Sequence, residues 1–283
     1  MNIQLQNTYN ECRRIAAHYE NFPVGSVLIP KRLRHHFYAF YAFMRTADDF
    51  ADLPNRSREK RLRLLEDWRD KLQMILSGGT VDSPIFIALA NTITECDLAS
   101  EPLKKLLEAF EFDARGDVRF ETFEDLRWYT SRSADPVGEL VLALFGYRDQ
   151  RRVKLSNDIC TALQLLNFIQ DIAEDLSNDR FYFPNEDWNM FGIEPSKRPD
   201  LERLALLCLF ELERVESLLD RGAPLAEAVG GRLAFELRAI IHSARRLSQK
   251  IAKNDGNTYL TRPTLGKRER FAVLLQSLMF RAA

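Results

Sequence analysis

Residues 161–178 read TALQLLNFIQDIAEDLSN, and the fold is decided by where their polar residues fall. Gln164, Asn167, Asp171, Asp175 and Asn178 recur at intervals of 3, 4, 4 and 3. That period puts them on one face of a helix. Leu163, Leu165, Leu166, Phe168, Ile169 and Ile172 cover most of the remainder. An ordinary surface helix carries an apolar stripe on a polar cylinder. Here a narrow polar stripe runs along an apolar one. The pattern predicts a helix buried around most of its circumference, with its polar stripe facing a cavity or partners. Unpaired carboxylates are costly away from water, and aspartates one turn apart repel. A divalent cation would offset both penalties.

A second stretch, FYAFYAFMRTADDFAD at 37–52, repeats the arrangement. Tyr41, Arg45, Asp48 or Asp49, and Asp52 follow the same spacing in an aromatic setting. Oxygen ligands without a neighbouring His or Cys suit Mg²⁺, which takes one or two carboxylates and fills its octahedron with phosphate oxygens and water. Two such helices could hold a diphosphate through bridging metals. A single DxxxD pair is ordinarily a solvated face. Two pairs on apolar helices, each with an amide or arginine one turn away, favour a metal site. Arg45 alone reads equally as a salt-bridge partner of Asp48 or Asp49 and as a phosphate ligand. Phe37, Phe40 and Tyr41 read as core before cavity lining.

Outward from these stretches, helical periodicity dominates. The spacing predicts helices over about 30–52, 57–76, 83–97, 101–117, 123–145, 150–177, 200–220, 224–254 and 264–281. With 12 glycines and 11 prolines in 283 residues, breakers are too few for a turn-rich β fold. The expectation is one all-α domain spanning 1–283. The least helical piece is 177–199, with three prolines and five aromatics, and loops of that length are often lids or flaps. Pro136 falls inside an otherwise helical pattern and should kink or break it. Tyr129 and Arg132 precede that break, and Arg180 and Tyr182 follow the second aspartate stripe, where they could close over a phosphate.

Forty basic and 41 acidic residues give a net charge of −1, so no basic excess calls for nucleic acid. Cys12, Cys96, Cys160 and Cys208 form no CxxC pair, which argues against a zinc framework or disulfide scaffold. His18, His35, His36 and His242 make no ligand pattern, since neighbours such as His35 and His36 point in different directions on a helix. No apolar run approaches the roughly 20 residues of a membrane span. The default is a reduced, cytoplasmic protein whose surface could rest on the inner face of a membrane. The basic and apolar segment RERFAVLLQSLMFRAA at 268–283 is the candidate for such contact, though a packed terminal helix is the plainer reading.

With these residues in hand, the chain resembles the squalene/phytoene synthase family over about residues 15–270. The motifs run in family order: ENFPV (20–24), AFMRTADDFAD (42–52), YTSRSADPVG (129–138) and QLLNFIQDIAEDLSNDRFYFP (164–184). The resemblance implies a class I terpenoid synthase-like helical bundle around a central cavity, with Mg²⁺ and a diphosphate held by Asp48, Asp52, Asp171 and Asp175. It implies that Arg45 contacts diphosphate, that Tyr129 lines the reaction centre, and that Gln164 and Asn167 support the second metal site. Phe22, Tyr41, Arg132, Arg180 and Tyr182 join Arg45, Gln164 and Asn167 as substrate-binding candidates. Condensing members carry an SxSF-like segment where this chain has HYENFPV, with Tyr19 and Asn21 at the serine positions and Phe22 retained. ENFPV with RSADPVG looks instead like the hydroxysqualene synthase branch of bacterial hopanoid pathways. That branch ionises presqualene diphosphate and quenches the rearranged cation with water. Tyr129, Asn21 and Gln164 are candidates to position the water, and no nicotinamide is required.

Rival readings are a head-to-head synthase joining two prenyl diphosphates and a non-catalytic relative acting as an assembly or binding protein. A head-to-tail elongase fits less well, because Gln170 precedes Asp171 where adjacent aspartates would be needed.

Overall fold

The computed structural model describes residues 3–18, 29–52, 56–116 and 118–279. Tyr19, Asn21, Phe22 and the rest of ENFPV lie outside the described residues. Among the described residues every regular element is a helix, as the pattern and the scarcity of breakers require. In order they are α1 (Ile3–His18), α2 (Lys31–Asp52), α3 (Arg58–Leu76), α4 (Pro84–Cys96), α5 (Glu101–Arg115), α6 (Phe123–Ser133), α7 (Asp135–Leu144), α8 (Gln150–Ser177), α9 (Asn185–Met190), α10 (Leu201–Gly222), α11 (Leu225–Ala228), α12 (Gly231–Lys253) and α13 (Lys267–Met279). No described helix is long and apolar enough to cross a membrane.

The chain forms two compact units, Met1–Gly116 with Pro136–Asp149, and Asp117–Asp135 with Gln150–Ala283. In the first, α2 packs against α1, α3, α4 and α5. Its face of Ala39, Phe40, Ala42, Phe43 and Ala47 is fully buried. Trp68 from α3 meets the rings of Phe43 and Phe86 at 5.9 and 4.6 Å. Such pairs add about 0.5–1.5 kcal/mol each beyond area burial. Phe40 is therefore core, while Phe37 and Tyr41 are half-buried at its edge, their rings stacked at 5.7 Å.

In the second unit α8 is the spine, packed against α6, α10, α11 and α12, most extensively against α10. Gly222 at the end of α10 makes that approach possible. A Cβ there would stand 2.6 Å from Ile159 Cγ1 and 2.9 Å from the Leu155 carbonyl oxygen on α8. Asp200 caps the other end of α10, accepting from the N–H groups of Glu202 and Arg203 at 3.0 and 3.3 Å. Thr122 and Asp125 cap α6 reciprocally, through Asp125 N to Thr122 Oγ1 at 3.2 Å and Thr122 N to Asp125 Oδ2 at 2.9 Å. Such caps satisfy donors that the first helical turn leaves unpaired.

The break expected at Pro136 divides 123–145 into two helices, with Pro136 in the first turn of α7, where its missing N–H costs nothing. Three other local features differ from the sequence pattern. The helix expected over 224–254 breaks at Val229–Gly230 into α11 and α12. Helix α1 was not foreseen, because its buried face is Thr8, Tyr9, Cys12 and Ala16, a stripe nearly without aliphatic residues. The segment 177–199 contains α9, whose six residues are too few to show a period.

Glu236 on α12 is 9% exposed, and burial pushes its carboxyl up to about 7. A raised folded pKa favours the folded state fully below the unfolded value, near 4.5, and that contribution is lost as pH rises through about 7. Glu236→Gln should therefore stay close to the parent near pH 4.5 and exceed it at pH 8 by about 3 kcal/mol. Urea unfolding at the two pH values measures the difference, and parallel pH dependence in both proteins would contradict it.

Candidate active site

In the first unit, α2 brings Tyr41, Arg45, Asp48 and Asp49 to a half-buried face, with Asp52 exposed at its end. Arg45 bridges the carboxylates, with Nη1 2.6 Å from Asp48 Oδ2 and Nη2 3.3 Å from Asp49 Oδ1. Both readings of Arg45 therefore start from one geometry, a guanidinium already neutralising the motif.

In the second unit, α8 behaves as its pattern requires. Leu165, Leu166, Phe168, Ile169 and Ile172 are buried, Gln164, Asp171 and Asp175 are half-buried, and Asn167 and Asn178 are exposed. Asp171 is held by Arg262, from the loop between α12 and α13. Arg262 Nε pairs with Asp171 Oδ1, and Nη2 lies 3.2 Å from Oδ2. The hydrogen bond to Asp171 raises the Arg262 pKa further. Arg262 lies 91 residues from its partner in TRPT, where no periodicity marks it, so sequence reasoning passed over it.

Beside the second stripe stands an aromatic cluster. Phe168 and Tyr182 stack at 4.0 Å with planes 8° apart. Tyr129 lies 5.9 Å from Tyr182 and 6.5 Å from Phe168, and Phe120 lies 5.4 Å from Tyr129. A small pocket is lined by Phe168, Ile172, Asp175, Leu176, Arg180, Tyr182, Phe183 and Trp188. Asp175, Arg180 and Tyr182 are thus brought together. Arg132 lies along its own helix, with its guanidinium 4.2 Å from the Trp128 ring and Nη1 3.2 Å from the Trp128 carbonyl oxygen.

The helix that carries Tyr129 is held by a network that was also missed. Asp135, 1% exposed, accepts from Thr161 Oγ1 at 2.8 Å and from Arg127 Nη2 at 3.4 Å. Arg127 also donates to Thr161 and, at 2.9 Å, to Thr130. The network locks α6, the start of α7 and α8 together at the Ser133–Asp135 break. The break is therefore tied, beyond a packing kink.

The aromatic segment after α8 is pinned, contrary to the flap its composition suggested. Phe181 N and Asn185 N donate to the carbonyls of Val118 and Phe120 at 3.1 and 2.8 Å. Trp188 Nε1 donates to the Phe183 carbonyl at 2.8 Å. Arg214 of α10 grips Asp187 through both nitrogens at 2.5 and 3.0 Å and reaches Glu211 at 2.8 Å. Glu211 is fully buried, and burial pushes its carboxyl pKa up against the pull of Arg214.

Each motif, taken by itself, offers donors that suit Mg²⁺. They are oxygen alone, and Asp48 and Asp49 on α2 keep side-chain exposures of 31% each and Asp171 on α8 keeps 30%, enough for a hydrated hard cation to reach them.

The family model described as squalene/phytoene synthase matches residues 15–269. The chain belongs to the squalene/phytoene synthase family. Its relatives include the hydroxysqualene synthase of Zymomonas mobilis, 33% identical over 251 residues, covering 83% of this chain and 80% of that one. The presqualene diphosphate synthase of Rhodopseudomonas palustris is 31% identical over 61% of each chain. The crystal structure of squalene synthase HpnC from Alicyclobacillus acidocaldarius superposes with a TM-score of 0.84 at 36% identity, covering 91% of this chain and 97% of that one. The all-α class I terpenoid synthase-like fold stands, and the chain is an enzyme of isoprenoid biosynthesis acting on prenyl diphosphates.

Arg214→Ala would leave two buried carboxyls without their cation, a change that costs about 3–5 kcal/mol. The variant should unfold at markedly lower urea and lose protection from hydrogen exchange first over 181–188. Unchanged exchange there would show that other contacts hold the segment.

Proposed function

We propose that this enzyme converts presqualene diphosphate and water to hydroxysqualene and diphosphate. The observation that carries the reading is the pocket in which Asp175 and Arg180 share walls with the stacked rings of Phe168 and Tyr182. Anionic and aromatic surfaces there adjoin, as ionisation to a diphosphate and a carbocation requires. The likeness to hydroxysqualene synthases over four fifths of their length supports the choice of branch, as does the missing serine pair before α2.

In this reading Asp48, Asp52, Asp171 and Asp175 hold Mg²⁺, with Asn167 completing and Gln164 supporting the second motif. When bound, Mg²⁺ supplies the charge that stabilises the departing diphosphate. Arg45, already poised on Asp48 and Asp49, adds a cation on the first motif, and Arg262 does so on the second. Arg180 and Tyr182 bind the diphosphate from their pinned segment, and Phe22, Tyr41 and Arg132 complete substrate binding. The ring faces of Tyr129, Phe168 and Tyr182 stabilise the rearranging cation, each by about 0.5–2 kcal/mol. Water then bonds to the cationic carbon, and its proton passes to the released diphosphate. The caps and network that hold the helix of Tyr129 keep the rings in place without reorganisation. We further propose that residues 1–283 work as one functional domain, in the cytoplasm, with the apolar product passing to the inner face of a membrane.

A second reading is head-to-head condensation of two prenyl diphosphates. The name of the 36%-identical solved relative, a squalene synthase, favours it. The deciding assay supplies Mg²⁺ with presqualene diphosphate or with farnesyl diphosphate, each with and without NADPH, and identifies products by mass spectrometry. Hydroxysqualene from presqualene diphosphate alone is the expected result. A C30 or C40 hydrocarbon or presqualene diphosphate from farnesyl diphosphate would move the enzyme to the condensing branch. Failure to consume any allylic diphosphate would leave a binding role.

Asp48→Asn and Asp171→Asn should each lower kcat by about 10²-fold or more with circular dichroism unchanged. Turnover near that of the parent in folded variants would remove the aspartates from the metal site.

A further inference from the structure

His35 and His36, set aside on sequence grounds because neighbours on a helix diverge, do not diverge. Their ring centroids lie 3.9 Å apart with planes 39° from one another. Both rings meet the edge of Tyr9 from α1, at 4.7 and 5.9 Å. Glu95 of α4 reaches the same place, with Oε2 3.5 Å from His36 Nε2. One nitrogen from each histidine and one oxygen of Glu95 all fall within 4.8 Å of one another.

We infer that His35, His36 and Glu95 form a binding site for a borderline transition-metal ion of the Zn²⁺ class, separate from the aspartate motifs and independent of the reaction proposed above. Two imidazoles and one carboxylate make a three-ligand zinc set with an open fourth position. In a tetrahedral site with bonds of about 2.0–2.1 Å, ligand atoms stand about 3.3 Å apart. The His36–Glu95 separation already has that value within a few tenths of an ångström. Glu95 is exposed and His35 half-buried, so small side-chain rotations suffice to close the set and an ion can enter from solvent.

The supporting shell is the stronger argument. Metal-binding histidines are normally oriented by a partner on the other ring nitrogen. His36 Nδ1 has two, Thr92 Oγ1 at 3.0 Å and Tyr9 Oη at 3.3 Å. Tyr9 Oη is itself held by Thr92 at 3.1 Å and by Asn91 Nδ2 at 2.9 Å. Thr92 is fully buried and Tyr9 is 2% exposed. This arrangement turns His36 Nε2 towards Glu95 and keeps it there. Imidazole nitrogen selects zinc-class ions, while the aspartate stripes, oxygen only, suit Mg²⁺. An ion here would tie α4 directly to α2, the helix that carries Asp48 and Asp52.

The test uses the full-length enzyme, stripped with chelator and kept in excess Mg²⁺ so that the aspartate motifs are filled. Zn²⁺ is titrated by calorimetry, and Co²⁺ absorption reports the ligand field. One Zn²⁺ per chain and a zinc-dependent rise in Tm are expected. Glu95→Gln, on the surface, should keep the metal-free Tm and lose most of the zinc-dependent rise. His35→Gln should behave alike. Thr92→Val should weaken binding by about 10–100-fold. Equal zinc affinity in the Glu95→Gln, His35→Gln double variant, or no uptake by the parent, would overturn the assignment.

Discussion

A carboxylate on an otherwise buried helix must be given a cation, and the layout of this enzyme follows from that need. Arg45 serves Asp48 and Asp49 from the same helix face. Arg262 serves Asp171 from a distant loop. Arg214 serves Asp187 and Glu211, and Arg127 serves Asp135. The last two carboxylates of that set, Glu211 and Asp135, are sealed from water, and their partners cannot leave without large cost. The first two aspartate sites are half-open, so their guanidinium partners can be exchanged for another positive charge. Sealed and half-open acids thus share one type of pair and differ in access to solvent.

Burial accounts for what was legible in the sequence. Within 37–52 and 161–176 most positions off the stripe are apolar, so the polar residues stood out by spacing. Both helices are found within a few residues of their expected bounds. Tyr129, Arg180 and Tyr182 were marked by adjoining breakers and by their place beside the second motif. Helix α1 buries Tyr9, Cys12 and Ala16, which weigh little in any apolar period, and it was invisible. Arg262, Thr161 and the pairing of His36 with Thr92 depend on helices far apart in the chain, and no local pattern encodes them.

The aromatic segment after α8 shows how composition misleads in a particular way. Three prolines, a glycine and five aromatics between 177 and 199 suggest a mobile cover. Yet aromatic side chains also need large partners, and Phe181, Phe183 and Trp188 find them in full burial. Prolines suppress helix without requiring freedom. With backbone hydrogen bonds to Val118 and Phe120, the segment serves as a wall that stacks Tyr182 on Phe168.

The crossing of α8 and α10 at Gly222 has a consequence for how far this sequence can drift. Among the obstructing atoms are the Leu155 carbonyl oxygen and the Ile159 amide nitrogen, which every residue possesses. Trimming Ile159 to a smaller side chain would not make room. Second-site compensation is therefore closed at this position, and any descendant that acquires a side chain at 222 must respace two whole helices, one of which carries Asp171 and Asp175.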